Sequence, residues 1–162
     1  MRNSVKGIIL HQGKILLNKN KNTLSDMFRG IPYGAIYYEF PGGGQHHDEP
    51  LEQALIRECL EETGYTVAPK RLAAVYEEIS LNEMLRLKFA DYAHVVYFLF
   101  LCHLTETPVK PVTERDLNML HAEWVPLEDL QGIFLYPPVI QSSLAEILAS
   151  DSTLYLGSRQ VP

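Results

Sequence analysis

Two cysteines in 162 residues are too few to staple a fold. Cys59 and Cys102 both lie in apolar segments, so buried free thiols in a reducing cytoplasm are expected rather than a disulfide. Basic charge is also scarce. Fourteen Lys and Arg stand against 20 Asp and Glu, a formal net charge of −6. A net charge of that sign argues against a general nucleic-acid surface, which would be basic. A small phosphorylated ligand is not excluded, because metal ions can neutralise it locally. Long apolar runs are missing too: Val95 to Leu101 falls far short of the roughly 20 residues that span a bilayer, so no membrane is expected as a partner. Met1-Arg2-Asn3-Ser4 leads straight into a strand-like run, which predicts no signal peptide. Repeats, low-complexity tracts and an internal boundary are absent. One domain is therefore expected over residues 1–150, with a tail over 151–162 packed on it or trailing it.

What is present is a chain of ordinary globular composition, 46% hydrophobic and 21% charged, long enough to bury a core. Its most ordered stretch runs from Gly43 to Tyr65. At about 100° per residue, Glu58, Glu61 and Glu62 share one helical face, with small Ala54 a turn earlier. Leu55, Ile56, Cys59 and Leu60 fall on another side, where a core can receive them. Like charges three and four residues apart cost a few tenths of a kcal/mol per pair. A hard divalent cation reverses that sign, because carboxylate oxygens are the ligands it takes. Taken alone, the three acids also fit a solvated helix face. The punctuation around them favours a site. Pro41-Gly42-Gly43-Gly44 forms a turn whose backbone can approach a ligand closely, and Gly64 stands where a helix C-terminus takes a left-handed residue.

Gly43, five residues, Glu49, seven residues, then Arg57-Glu58-Cys59-Leu60-Glu61-Glu62-Thr63-Gly64-Tyr65 resembles the Nudix box, G-x5-E-x7-R-E-U-x-E-E-x-G-U. Every fixed position is matched; Cys59 and Tyr65 stand where an aliphatic residue is usual. The preceding Tyr38-Glu39-Phe40-Pro41-Gly42-Gly43 and the later Ala122 to Leu130 are also similar to Nudix domains. The resemblance implies an α/β fold, an α/β/α sandwich with a mixed β-sheet between helices. It implies a hydrolase that uses Mg²⁺, or Mn²⁺, to cut the diphosphate of a nucleoside diphosphate linked to a group X. Nucleotide sugars such as ADP-ribose and nucleoside triphosphates are both open. The metal ligands implied are Glu58, Glu61, Glu62 and the Gly42 carbonyl; Glu58 helps deprotonate water, and Arg57 holds a carboxylate in place. The alternative from a different class is a nucleotide-sensing module that does not hydrolyse, which would be expected to lose acids of the box. The partner implied is a small nucleoside-diphosphate substrate, and a homodimer stays open.

Along the chain, strands are expected at Ser4 to Leu10, Lys14 to Leu17, Ala35 to Phe40, Tyr65 to Val67, Leu72 to Ser80 and His94 to Leu104, with another beginning at Glu123. Asn18 to Tyr33 and Thr105 to Asn118 read as loops, 81–93 stays ambiguous, and a helix is expected over Val139 to Ala149. Several residues carry two readings. Lys19, Lys21 and Arg29 could meet phosphate, although solvated loop charge is the commoner role. His46-His47-Asp48-Glu49 could bind a transition metal, although adjacent side chains point apart. Glu114, Asp116 and Glu123 are candidates for a further ligand or base. Phe28, Tyr33, Tyr37 and Tyr38 could stack on a nucleobase, although strand aromatics are more often core. Trp124 reads as structural.

Overall fold

The computed structural model describes residues 1–24, 29–105 and 108–162. Its first two strands, β1 (Arg2–His11) and β2 (Lys14–Lys21), form a hairpin. Gln12 and Gly13 both take positive φ, 49° and 74°, as the two central residues of a type I′ turn do. After β2 come β3 (Ile36–Glu39), helix α1 (Leu51–Thr63) and β4 (Val67–Ser80). Then follow α2 (Glu83–Lys88), a 3-10 turn at Ala90–Ala93, β5 (His94–Leu104) and β6 (Met119–Pro126). A second 3-10 segment (Leu127–Gly132), β7 (Leu135–Tyr136), α3 (Pro138–Ala149) and β8 (Leu154–Val161) complete the chain.

The strands join in one mixed, curled sheet in the order β7-β3-β2-β1-β5-β4-β8, with β6 also paired to β2. β1 runs parallel to β5, and β4 pairs antiparallel to β5 and parallel to β8. Alternation along the central strands sends residues to opposite faces. Val5, Ile9, Phe100 and Cys102 pack with Ala54, Leu55 and Cys59 of α1. Ile8, Tyr97 and Leu99 pack with Val139, Ile140, Leu144 and Ile147 of α3. The result is the α/β/α sandwich with a mixed sheet between helices. Trp124 belongs to the α1 side, where its indole N–H donates to the Tyr65 hydroxyl at 3.0 Å. The Arg71 guanidinium ties β4 to the end of α3 through the carbonyls of Ile147, Ser150 and Ser152.

Several expected boundaries change. Asn18 to Lys21 are strand, not loop, because they pair with β3 on one side and β6 on the other. Their polar side chains suggested a loop, yet Asn18 and Asn20 are buried and hydrogen-bonded. The two strands expected on either side of Pro69-Lys70-Arg71 are one, β4; the pairing is irregular at Pro69/Arg71, where the proline lacks an N–H for the ladder, and again at Leu72/Ala74. β6 starts at Met119 rather than Glu123, since β2 is long enough to pair with it. The ambiguous 81–93 stretch resolves into α2, capped by the Asn82 side chain accepting from Leu85 N–H, and the 3-10 turn.

Cys59 is fully buried against Gly7, and burial pushes its thiol well above the ordinary range; that of Cys102 is pushed up to about 12. Cys59→Ala should therefore lower stability by about 1–2 kcal/mol through the void it leaves. Denaturant melts check the loss, and a bulky thiol reagent should label neither cysteine at an appreciable rate in the native protein.

Candidate active site

The glycine turn is clamped between β1 and α1. Val5 N–H donates to Gly43 O and Gly7 N–H to Pro41 O, both at 2.9 Å. Gly42 takes φ 125°, and a Cβ there would lie 2.2 Å from Val5 O. A Cβ on Gly43 would lie 2.6 Å from the Glu58 carboxyl carbon. Only glycine lets strand, turn and helix approach this closely. On the helix side, Glu62 accepts from Gly42 N–H at 2.8 Å and from Asn18 Nδ2 at 2.7 Å. Burial pushes the Glu62 carboxyl up to about 7, against the opposing pull of Lys6 and these two donors. Lys6 is itself buried, and its ammonium donates to the Gly42 carbonyl.

Arg57 organises the other two acids. Its Nε and Nη2 grip both oxygens of Glu49 at 2.8 and 2.9 Å, Nη1 reaches Glu58 at 2.9 Å and Glu61 at 3.1 Å, and Nη2 also donates to Gly44 O at 3.0 Å. Hydrogen bonding to Arg57 holds the Glu49 carboxyl down at about 2. Burial raises Glu58, with Arg57 opposing. The acidic flank is thus graded, with Glu62 sealed inside and Glu58 and Glu61 partly open.

A distal loop closes the cleft. Gly64, at φ 75°, caps α1 by donating to Leu60 O, and a Cβ on it would lie 2.0 Å from Lys110 O. Lys110 N–H donates to Gly64 O, and the amides of Thr113 and Glu114 donate to Glu61 O. This brings Glu114 and Asp116 into a cleft of about 290 Å³ with Glu58, Glu61 and Glu62. It adjoins a larger cavity of about 590 Å³ under α2, whose walls include Leu24, Tyr37, Leu85, Phe89, Tyr92 and Tyr97. Arg2, Gly43, Tyr92 and Asp116 line both.

A family model described as the NUDIX domain matches residues 1–147. This chain belongs to the Nudix family. Its Nudix domain is 40% identical over 73 residues to an ADP-ribose pyrophosphatase of Methanocaldococcus jannaschii, covering 45% of this chain and 38% of that protein. It is 32% identical over 83 residues to a Bacillus subtilis (strain 168) protein provisionally named 8-oxo-dGTP diphosphatase, covering 51% and 48%. The matches therefore span half or less of these relatives' lengths. A Nudix hydrolase structure from Nitrosomonas europaea shares the fold with a TM-score of 0.68 at 20% identity, covering 91% of this chain and 88% of that one.

In this Nudix domain the other candidate residues separate cleanly. Glu123 is drawn away by the Tyr38 hydroxyl at 2.7 Å, by His121 and by Lys19. Tyr38 and Lys19 are thereby committed to each other and to Glu123. Arg29 pairs with Glu39 and lies over the Tyr136 ring, while Lys21 is exposed at the end of β2. Tyr33 is exposed, Tyr37 reaches the large cavity, and Phe28 lies outside the described residues. His46 and His47 project outward, paired with Glu49 and Asp48. Among the described residues, no three His, Cys, Asp or Glu side chains stand in a geometry that would hold a metal ion. In the acidic cleft the reason is visible, since Arg57 draws Glu58 and Glu61 while Glu62 faces the turn. No helix among the described residues is long and apolar enough to cross a membrane. Sequence reasoning missed Arg2, Lys6, Asn18, Phe89, Tyr92 and Tyr97. Asn18 was hidden by the loop reading, and the two aromatics of the 81–93 stretch by its ambiguity; the rest carry no local signal.

Proposed function

We propose that this Nudix domain is a metal-dependent pyrophosphohydrolase that cleaves the diphosphate of a nucleoside diphosphate linked to a group X. The observation that carries this reading is the convergence of Glu58, Glu61 and Glu62 with the glycine turn on one cleft beside a cavity large enough for a nucleoside. The donor chemistry suits a hard cation, although in this arrangement Arg57 and Lys6 hold the oxygens that would take it. Every donor offered is oxygen, and the Gly42 carbonyl already holds a positive charge, the Lys6 ammonium. Glu58, Glu61, Glu62 and the Gly42 carbonyl would hold Mg²⁺ or Mn²⁺. Bound there, the ion supplies polarisation of phosphoryl oxygens and acidification of water.

The chain supplies the remainder. Arg57, itself anchored by Glu49, keeps Glu58 and Glu61 at the wall of the cleft, from which a bound cation would draw them. Glu58 accepts a proton from the attacking water; Glu114 and Asp116 stand in the same cleft as the other acceptors to be tested. The cavity under α2 excludes water from the nucleoside and takes its base or X among Tyr37, Phe89 and Tyr92.

The test is a panel of ADP-ribose, other nucleotide sugars and nucleoside triphosphates, including oxidised guanine nucleotides, scored for phosphate-containing products. Chelation should abolish turnover, and Mg²⁺ or Mn²⁺ should restore it. Mg²⁺ should also raise the melting temperature, because it binds the folded acids and relieves their repulsion. Full turnover in excess chelator would rule out the metal reading.

A further inference from the structure

We propose that Arg2 is the arginine that grips the substrate's diphosphate, and that Gly44 is glycine so that this guanidinium can sit where it does. The proposal rests on the pyrophosphohydrolase reading above and names a substrate-binding residue for it.

The first observation is position. Arg2 lines both the acidic cleft and the large cavity, at the junction that a diphosphate must cross to join a nucleoside in one to a reaction in the other. The second is availability. Arg57 spends its whole fork on three carboxylates and the Gly44 carbonyl. Lys6 is turned to the Gly42 carbonyl, and Arg29 to Glu39 and the Tyr136 ring. Lys88 is exposed on α2 and lines only the large cavity. Among the described residues, the Arg2 guanidinium has no hydrogen-bond or ion-pair partner. It lies over the Tyr92 ring with Cζ 4.6 Å from the centroid. Stacking of this kind restrains the plane of the fork and leaves its N–H edges open to an anion.

The third observation is that the seat is built. The start of β1 is held to the turn by a bridge between Ser4 and Gly44, by Gln45 N–H donating to Asn3 O, and by Asn3 Nδ2 donating to the Gln45 side chain at 2.8 Å. The root of Arg2 is therefore fixed. A Cβ on Gly44 would lie 2.3 Å from Arg2 Nη2 and 2.5 Å from Cζ, so any larger residue shifts the guanidinium from this position. Gly44 does not take a positive φ, so its backbone does not require glycine; only this placement of the Arg2 guanidinium does. Electrostatics points the same way. Glu58, Glu61, Glu62, Glu114 and Asp116 make the cleft strongly acidic, and a polyphosphate needs a fixed cation there besides any metal. A bidentate Arg fork matches two phosphoryl oxygens.

The experiment compares the unmodified chain with Arg2→Gln, Arg2→Lys, Gly44→Ala and the Gly44→Ala/Arg2→Gln double variant. Three readouts are taken: calorimetric titration of inorganic pyrophosphate at fixed Mg²⁺, Mn²⁺ affinity without substrate, and steady-state kinetics on the best panel substrate. Arg2→Gln should weaken pyrophosphate binding and raise KM by roughly 10- to 100-fold, with kcat less affected and Mn²⁺ affinity unchanged. Arg2→Lys should recover only part, since it restores charge without the fork. Gly44→Ala should reproduce most of the Arg2→Gln defect. The double variant should be no worse than Arg2→Gln alone, because the room is no longer needed. Melting temperatures confirm that each variant is folded; if Arg2→Gln unfolds, Arg2→Lys and Gly44→Ala carry the comparison. Unchanged pyrophosphate binding in Arg2→Gln or, if it unfolds, in both Arg2→Lys and Gly44→Ala overturns the proposal. So does a Gly44→Ala defect that persists undiminished in the Arg2→Gln background, or pyrophosphate binding absent from the unmodified chain. If the unmodified chain binds pyrophosphate through Arg2 but cleaves no substrate, the hydrolase reading fails and the Arg2 assignment stands.

Discussion

Glu58→Gln, Glu61→Gln and Glu62→Gln should each lower turnover by about a hundredfold or more, with substrate affinity less affected. Each substitution keeps size and hydrogen-bonding capacity and removes one negative charge from the cleft that all three line. Their effects on stability should differ, because their surroundings do. Glu62 is buried with its carboxyl raised by burial, so an amide there is easily tolerated without metal and the melting temperature should hold or rise. Glu58→Gln loses an ion pair with Arg57 and should melt slightly lower in the metal-free protein. Glu52→Gln is the control, on the same helix but exposed and away from the cleft, and should change little. The measurements are turnover on the best panel substrate at saturating Mg²⁺ and melting temperature beside it. Near-normal turnover in all three variants would refute their assignment as metal ligands.

Arg57→Ala should destabilise the fold as well as slow turnover. One guanidinium makes five hydrogen bonds that hold the loop before α1, the helix and the glycine turn together. Removing it leaves Glu49, Glu58 and Glu61 to repel one another with their charges only partly exposed. A loss of about 2–3 kcal/mol is expected, a drop in melting temperature of roughly 5–10 °C for a chain of this size. Turnover should fall at least about tenfold because Glu58 and Glu61 are no longer kept at the wall of the cleft. Arg57→Lys should recover little, since it cannot reach both oxygens of Glu49 and two further acids. The pair also has a pH signature. Glu49 titrates at about 2 in the folded protein rather than its ordinary 4.5. The stabilisation is therefore fully present above about 4.5 and is lost as pH falls towards 2. Acid unfolding of Arg57→Ala should show less dependence on pH across that window. Equal melting temperatures for Arg57→Ala and the unmodified chain would show that the network is dispensable.

The sequence alone carried the parts of this protein whose geometry is local. Helical periodicity puts Glu58, Glu61 and Glu62 on one side of α1 and Leu55 and Cys59 on the core side, whatever the remainder of the chain does. Gly64 as the left-handed end of that helix and the apolar run that became β5 belong to the same class. Local spacing could not say which strand would lie under the turn. Lys6 is one residue of β1, and its contact with the Gly42 carbonyl exists because β1 hydrogen-bonds to the turn. Asn18 resembled a loop residue until β3 and β6 paired around it and turned its amide onto Glu62. Among three distal acids, only the tertiary structure separated Glu114 and Asp116, carried to the cleft by the loop bound to Gly64 and Glu61, from Glu123, taken by Tyr38 and His121. Arg2 and Tyr92 meet across most of the chain because β1 and β5 run parallel from neighbouring starts. Periodicity determines which face a side chain takes; only long-range strand pairing decides what that face meets.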